Sequence, residues 1–225
     1  MESTIERLIE QGENQQLDFK FSITDTRKIA RTLVAFSNTD GGKLLIGVKD
    51  NGVIAGVRSD EEYYMIEAAA QLYCHPEIQF KTYKWELSGK TVLEIIVPKS
   101  DKKPHYVAGQ DGKKLSYIRV DDQNLLANKV MIKVWLNEKS KKGIFLKYSK
   151  NEKILLEYLQ KNTNITISKY IRLALISRKD AENILADLVI LNIIDIVITE
   201  KQTFYTLNKN FDKYLYDDYM GGNSE

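Results

Sequence analysis

The Asn51-Gly52 pair constrains the fold of this chain more than any other feature. It lies between two short apolar runs, residues 44–48 (Leu-Leu-Ile-Gly-Val) and 53–57 (Val-Ile-Ala-Gly-Val). An Asn-Gly pair readily supplies the two positive-φ positions of a tight turn, so the spacing predicts a β-hairpin. Runs that are apolar at every position, not at alternate ones, predict strands covered on both faces.

Upstream of this pair, Ile29, Leu33 and Phe36, flanked by Ala30 and Val34, recur at helical spacing from Asp25 or Thr26 to Ser37. Asn38-Thr39-Asp40-Gly41-Gly42 stops that helix, and the glycine pair permits a tight reversal into the next strand. Ser3-x-x-Glu6 reads as the capping box of a short first helix that Gly12 ends, and residues 16–21 read as a strand. Downstream, residues 60–73 read as a helix closed by His75-Pro76, followed by strands near 78–87 and 91–97 around Ser88-Gly89. A strand at 115–120 and a helix near 123–136 complete the set. Helices mixed with antiparallel hairpins predict an α+β layer structure, not a doubly wound parallel sheet.

At 225 residues the chain is long for one domain. Residues 1–136 are expected to form the first domain. Residues 137–150, with Lys139, Lys141, Lys142, Lys147 and Lys150 around Gly143, read as a lysine-rich linker. The pattern then changes to three short helices (around Ile154 to Leu159, 167–173 and 177–191) and a hairpin (193–199 and 204–207). Three helices followed by a hairpin is the winged-helix order, which predicts a small winged-helix domain at 151–210. Residues 211–225 form an acidic, aromatic tail with Tyr214, Tyr216 and Tyr219.

The net charge of +2 is unevenly spread. Residues 1–136 hold 19 basic and 19 acidic side chains, whereas residues 137–210 hold 13 basic and 8 acidic ones, a net of +5. A basic second domain suits nucleic acid, and it also suits an ordinary solvated surface.

No apolar run approaches the roughly 20 residues needed to span a bilayer, and the start lacks a signal-peptide pattern, which predicts a cytoplasmic protein with no membrane association. Cys74 is the single cysteine, and His75 and His105 lie far apart in sequence, which argues against a structural zinc site.

One ordered set of motifs resembles the Schlafen/AlbA-type domain family. It comprises Glu13-x4-Asp18-Phe19-Lys20, then Ala35-Phe36-Ser37-Asn38-Thr39-Asp40-Gly41-Gly42, Leu44 to Val48, Asp50-x-Gly52-x-Ile54-x-Gly56 and His75-Pro76. It continues through Gly89-Lys90-x-Val92-Leu93, Val97-Pro98-x-Ser100, Pro104-His105-Tyr106 and Tyr117-Ile118-Arg119, spanning roughly residues 5–130. The resemblance implies a Schlafen/AlbA-type mixed sheet-and-helix domain ahead of the winged helix, as in bacterial transcriptional regulators. Although members are often described as ATP-binding, Gly42-Lys43-Leu44 lacks the earlier glycine and the hydroxyl of the P-loop pattern, so ATP is not an expected cofactor.

In the RNA-cleaving Schlafen branch three acids act in a metal-dependent site, and the resemblance places them at Glu13, Asp18 and Asp50. Carboxylates there would take Mg²⁺ or Mn²⁺, polarise a phosphate and activate water. Position 18 is Asp where the family usually has Glu, and a homodimer would be needed to recreate the two-lobed groove of that branch. The same acids can instead cap turns or pair with Lys20 and Arg119.

Candidate phosphate contacts in the first domain are Lys20, Ser37, Asn38, Lys43 and Arg119, with Lys99, Lys102 and Lys103 in a loop. In the second they are Lys169, Arg172, Ser177, Arg178, Lys179 and Lys201, with Ser177 to Lys179 opening the expected recognition helix. Ser177 followed by Asp180 is equally a plain helix cap. The leading expectation is a DNA-binding transcriptional regulator. The alternatives are a metal-dependent endoribonuclease with RNA as substrate and a protein-interaction module.

Overall fold

The computed structural model describes residues 4–109, 112–138 and 149–210. Ser3, most of the lysine-rich stretch and the tail from 211 onward lie outside the described residues. The chain divides into two compact units, Met1–Ala127 and Asn128–Glu225.

The first unit is mixed α+β. In chain order it contains α1 (Thr4–Gln11), β1 (Leu17–Lys20), α2 (Thr26–Asn38), β2 (Gly42–Ile46) and α3 (Glu61–Ala68), which runs into a π-helical turn at Ala69–Tyr73. There follow β3 (Cys74–His75), β4 (Lys81–Leu87), β5 (Lys90–Val97), β6 (Tyr106–Ala108), β7 (Lys114–Leu115), β8 (Tyr117–Val120) and β9 (Gln123–Leu126). The main sheet has the order β1-β2-β5-β4; β1 runs parallel to β2 and the other pairs are antiparallel.

The central strand β2 is covered on both faces, as its unbroken apolar run predicts. Leu44 and Ile46 pack with Ile29, Leu33 and Phe36 of α2, while Leu45 turns the other way to join Ile5, Leu17 and Phe19. Fully burying one such side chain contributes roughly 1.5–3 kcal/mol. Asp25 starts α2 by accepting from the backbone N–H groups of Arg27 and Lys28, and Gly41 N–H closes it onto Phe36 O at 2.9 Å with φ +74°.

The turn at Asn51-Gly52 forms, but the hairpin it was expected to close does not extend. Gly52 N–H reaches Lys49 O at 2.8 Å, and only one bridge, Val48 to Ile54, joins the two runs. Gly47, at φ +92°, ends β2, and its carbonyl accepts from both Ala55 and Gly56. Gly47 and Gly56 pack so closely that a Cβ on Gly47 would lie 2.9 Å from Gly56 C. The partners of β2 are therefore β1 and β5. The hairpin around Ser88-Gly89 forms as expected, with positive φ at both turn residues.

Residues 123–136 do not form the single helix expected of them. Gln123–Leu126 is a strand paired with β8, and the helix α4 (Lys129–Glu138) starts only after Asn128, whose side chain accepts from Met131 N–H. Val130 and Val134 of α4 enter the core of the second unit beside Leu155 and Leu185, so the division falls before this helix and not after residue 136.

The second unit continues with α5 (Lys150–Lys161), α6 (Ile167–Ala174), α7 (Arg178–Ile190) and the antiparallel pair β10 (Ile194–Ile198) and β11 (Thr203–Leu207). Ser149, Thr166 and Ser177 cap the three helices through their side-chain oxygens. Ile165 adds a short third rung by exchanging two backbone hydrogen bonds with Tyr205, at 2.9 and 2.8 Å. No described helix is long and apolar enough to cross a membrane.

Candidate nucleic-acid interface

In the first unit Lys20, Ser37, Asn38, Lys43 and Arg119 are buried or already paired, whereas Lys102 of the loop is exposed with no ion-pair partner among the described residues. Arg119 on β8 is 2% exposed. Its guanidinium donates to Asp18 Oδ1 at 3.1 Å, to Leu17 O at 3.2 Å, to Asn14 O at 3.3 Å and to Asn124 Oδ1 at 3.1 Å, and it stacks over the Phe36 ring. A buried guanidinium must have its donors satisfied, and these partners do so. Arg119 is thus a core residue that ties β1, β8 and β9 together.

Lys20 Nζ lies 2.9 Å from Asp18 Oδ2 and 3.9 Å from Glu13 Oε1. The contact to Oδ2 is an ion pair without hydrogen-bond alignment, which leaves that buried oxygen without a hydrogen bond. Lys43 Nζ sits 2.8 Å from Glu94 Oε1, and the Trp85 indole N–H donates to the other oxygen of Glu94 at 2.8 Å. Asn38, 1% exposed, spends its amide on His105 O, Ser116 Oγ and Tyr117 O and accepts from His105 N–H. Ser37 is equally buried, and its carbonyl accepts from Ser100 N–H. Arg119, Lys20 and Lys43 thus have their charge matched within the domain, and Asn38 and Ser37 are buried in it.

Of the three acids, Glu13 and Asp18 are neighbours that share Lys20, while Asp50 does not join them in a metal-binding set. Asp18 faces Arg119 and Lys20, Glu13 Oε1 accepts from Phe19 N–H at 2.8 Å, and Asp50 is exposed on the Asn51-Gly52 turn. Among the described residues no three His, Cys, Asp or Glu side chains form a set able to hold a metal ion. Mg²⁺ and Mn²⁺ need several carboxylate or carbonyl oxygens aimed at one point, and Asp18 has its oxygens committed to cations, so these residues do not fit the metal. Burial raises the Glu13 pKa above its usual value; the neighbouring Asp18 carboxylate adds to the rise, while Phe19 N–H and Lys20 oppose it.

The glycine pair is explained by packing. A Cβ on Gly41 would stand 2.8 Å from Lys99 N and Val97 O, and one on Gly42 would fall 2.4 Å from the Phe36 ring. A cleft of about 370 Å³ lies beside the pair, lined in part by Gln11, Asn14, Lys43 and Lys99. Both lysines are engaged, Lys43 with Glu94 and Lys99 with Asp40 at 3.3 Å.

The second unit is different. Lys169, Arg172, Ser177, Arg178, Lys179 and Lys201 are all exposed. The Ser177 hydroxyl serves as the cap of α7, accepting from Asp180 N–H at 3.1 Å and donating to Asp180 Oδ2 at 2.6 Å. Arg178 Nε lies 3.4 Å from Glu182 Oε1, one helical turn on, and Lys169 Nζ rests 5.2 Å from the centre of the Tyr158 ring. Arg172, Lys179 and Lys201 have no ion-pair partner among the described residues. Sequence reasoning missed Leu175, which joins α6 to α7 in the left-handed region at φ +53° with 89% of its surface exposed.

A mixed α+β domain built on the β1-β2-β5-β4 sheet, with an ion pair sealed between its first strand and β8, is the class that the first unit defines. Residues 13–128 match the family model described as Schlafen, AlbA_2, and the chain belongs to that family. Membership associates the protein with nucleic-acid-related function in general terms. Among solved structures, the DIP2311 protein from Corynebacterium diphtheriae is similar at 17% identity and a TM-score of 0.45, over 62% of this chain and 32% of that one. The N-terminal domain of a RecG-related protein from Nitrosomonas europaea is similar at 21% identity and a TM-score of 0.39, over 56% of this chain and 96% of that domain. This chain thus spans about a third of the DIP2311 protein. No curated protein matches it.

Proposed function

We propose that the protein binds duplex DNA through its second unit and acts as a transcriptional regulator, with the second unit working as a winged helix. The observation that carries this reading is where the exposed, unpaired cations of the second unit lie. The first-unit cations Lys20, Lys43 and Arg119 are matched by buried or half-buried acids, whereas Arg172, Lys179 and Lys201 stand exposed and unmatched. They lie on or beside α6, the start of α7 and the β10–β11 turn, the elements by which a helix-turn-helix with a wing approaches a DNA groove. Exposed lysine and arginine neutralise phosphates and release counterions, which supplies affinity that falls steeply with salt.

The test is incubation of the full chain with labelled duplex DNA and with structured RNA, with Mn²⁺ or EDTA, resolving shifted from cleaved species. A salt-sensitive DNA shift without cleavage is expected. Mn²⁺-dependent RNA cleavage that disappears in Asp50→Ala would instead establish the endoribonuclease reading. Absence of any shift at low ionic strength would move the second unit to the interaction modules.

A further inference from the structure

The first unit has a second concave feature, with chemistry opposite to that of a phosphate site. A cleft of about 570 Å³ lies between α3, the π-helical turn that follows it and the outermost strand of the sheet, β4. Its size is that of an ordinary small-molecule pocket. π-Helical turns are rare and occur often at functional sites, and Gln71 from this one lines the cleft.

Aromatic rings and carboxylates share the lining. Tyr63, Tyr64 and Phe80 line it, with the two tyrosine rings edge-on at 5.7 Å and Tyr64 63% exposed. Asp60, Glu67 and Glu77 supply negative charge against one cation, Lys84. Lys84 Nζ is held 2.6 Å from Asp60 Oδ1, which matches those two charges. Glu67 and Glu77 have no ion-pair partner among the described residues, so the cleft keeps two uncompensated carboxylates. Thr82 also lines it.

Uncompensated carboxylates repel phosphate, and aromatic faces attract cations through the ring quadrupole. An N–H-rich cation can pair with Glu67 and Glu77 and lie against Tyr64. We propose that this cleft is a binding site for a small organic cation bearing guanidinium or primary ammonium groups. The proposal does not depend on DNA binding by the second unit. The same chemistry is carried by a free polyamine and by a basic side chain presented by another protein.

The test is isothermal titration calorimetry of the full chain with spermidine and, separately, with N-acetylarginine amide. Saturable binding of at least one is expected, weakened about tenfold or more in Glu67→Gln/Glu77→Gln and in Tyr64→Ala. Glu86→Gln, which removes an acid outside the cleft, is expected to leave it unchanged. Binding of spermidine alone identifies a free polyamine as the ligand, and binding of the arginine amide alone identifies a presented side chain. No saturable binding of either probe, or binding that survives both the double substitution and Tyr64→Ala, overturns the proposal.

Discussion

Arg119 Nη2 lies 3.1 Å from Asp18 Oδ1, and both side chains are almost fully withdrawn from solvent, at 1% and 5% exposure. The pair joins the first strand of the sheet to a strand about a hundred residues further along the chain. Removing one partner of a buried pair strands the other charge in a low-dielectric setting, which typically costs about 3–5 kcal/mol. Arg119→Met is therefore expected to destabilise the protein by about 3 kcal/mol, Lys20 still facing Asp18. Asp18→Asn/Arg119→Met is expected to recover much of the loss. Urea unfolding of both single variants and the double one checks this, and a double variant no better than Arg119→Met would contradict it.

The raised pKa of Glu13 gives stability a defined pH dependence. The folded state holds this proton more tightly than the unfolded chain, whose value is the ordinary one, so the contribution is fully present below the unfolded pKa and is lost as pH rises through the folded one. Glu13→Gln removes the ionisation and keeps an oxygen to accept from Phe19 N–H. The variant is expected to melt higher than the parent at pH 7 and to lose that advantage below about pH 4. A lower melting temperature at pH 7 would mean that Lys20 outweighs burial at this site.

Leu175 occupies a left-handed position that costs a branched, non-glycine residue roughly 1–2 kcal/mol, and its side chain is too exposed to recover this by burial. Leu175→Gly should therefore stabilise the second unit by roughly 0.5–1 kcal/mol, against the usual sign of a glycine substitution. Chemical denaturation measures it. A net loss would show that Leu175 makes a packing contact that its exposure does not suggest.

Much of this architecture was legible from local chemistry. The period of Ile29, Leu33 and Phe36, the capping residues Asp25 and Ser177, the Ser88-Gly89 turn and the apolar run of β2 all act within a few residues and can be read along the chain. What escaped the reading depends on distant partners. The Asn51-Gly52 turn is present, yet the pairing of β2 with β5 is decided by Gly47 ending the strand and by β5 lying alongside. The apolar face of α4 is visible in the sequence, but not which of two cores receives it. An arginine is by default a surface cation, and Asp18 with the carbonyls of Asn14 and Leu17, brought in from the far end of the domain, makes Arg119 a core residue. The sequence leaves two readings of Asp18 open, metal ligand or partner of Lys20 and Arg119, because opposite charges that bury each other carry the same one-letter signature as charges left free for a ligand; the ion pairs agree with the second.

The proposed DNA contacts are Arg172, Lys179 and Lys201, exposed and without an ion-pair partner among the described residues, and the salt dependence of DNA affinity tests them most directly. Anisotropy titrations of a labelled duplex, repeated over a range of salt concentrations, would compare the parent with Arg172→Ala, Lys179→Ala, Lys201→Ala and, from the first unit, Lys43→Gln. Each second-unit substitution is expected to weaken binding and to reduce the slope of log K against log salt by about 0.9, as loss of one phosphate contact does. Lys43→Gln is expected to leave the slope unchanged. A slope that falls in Lys43→Gln and stays constant in the three second-unit variants would contradict the account.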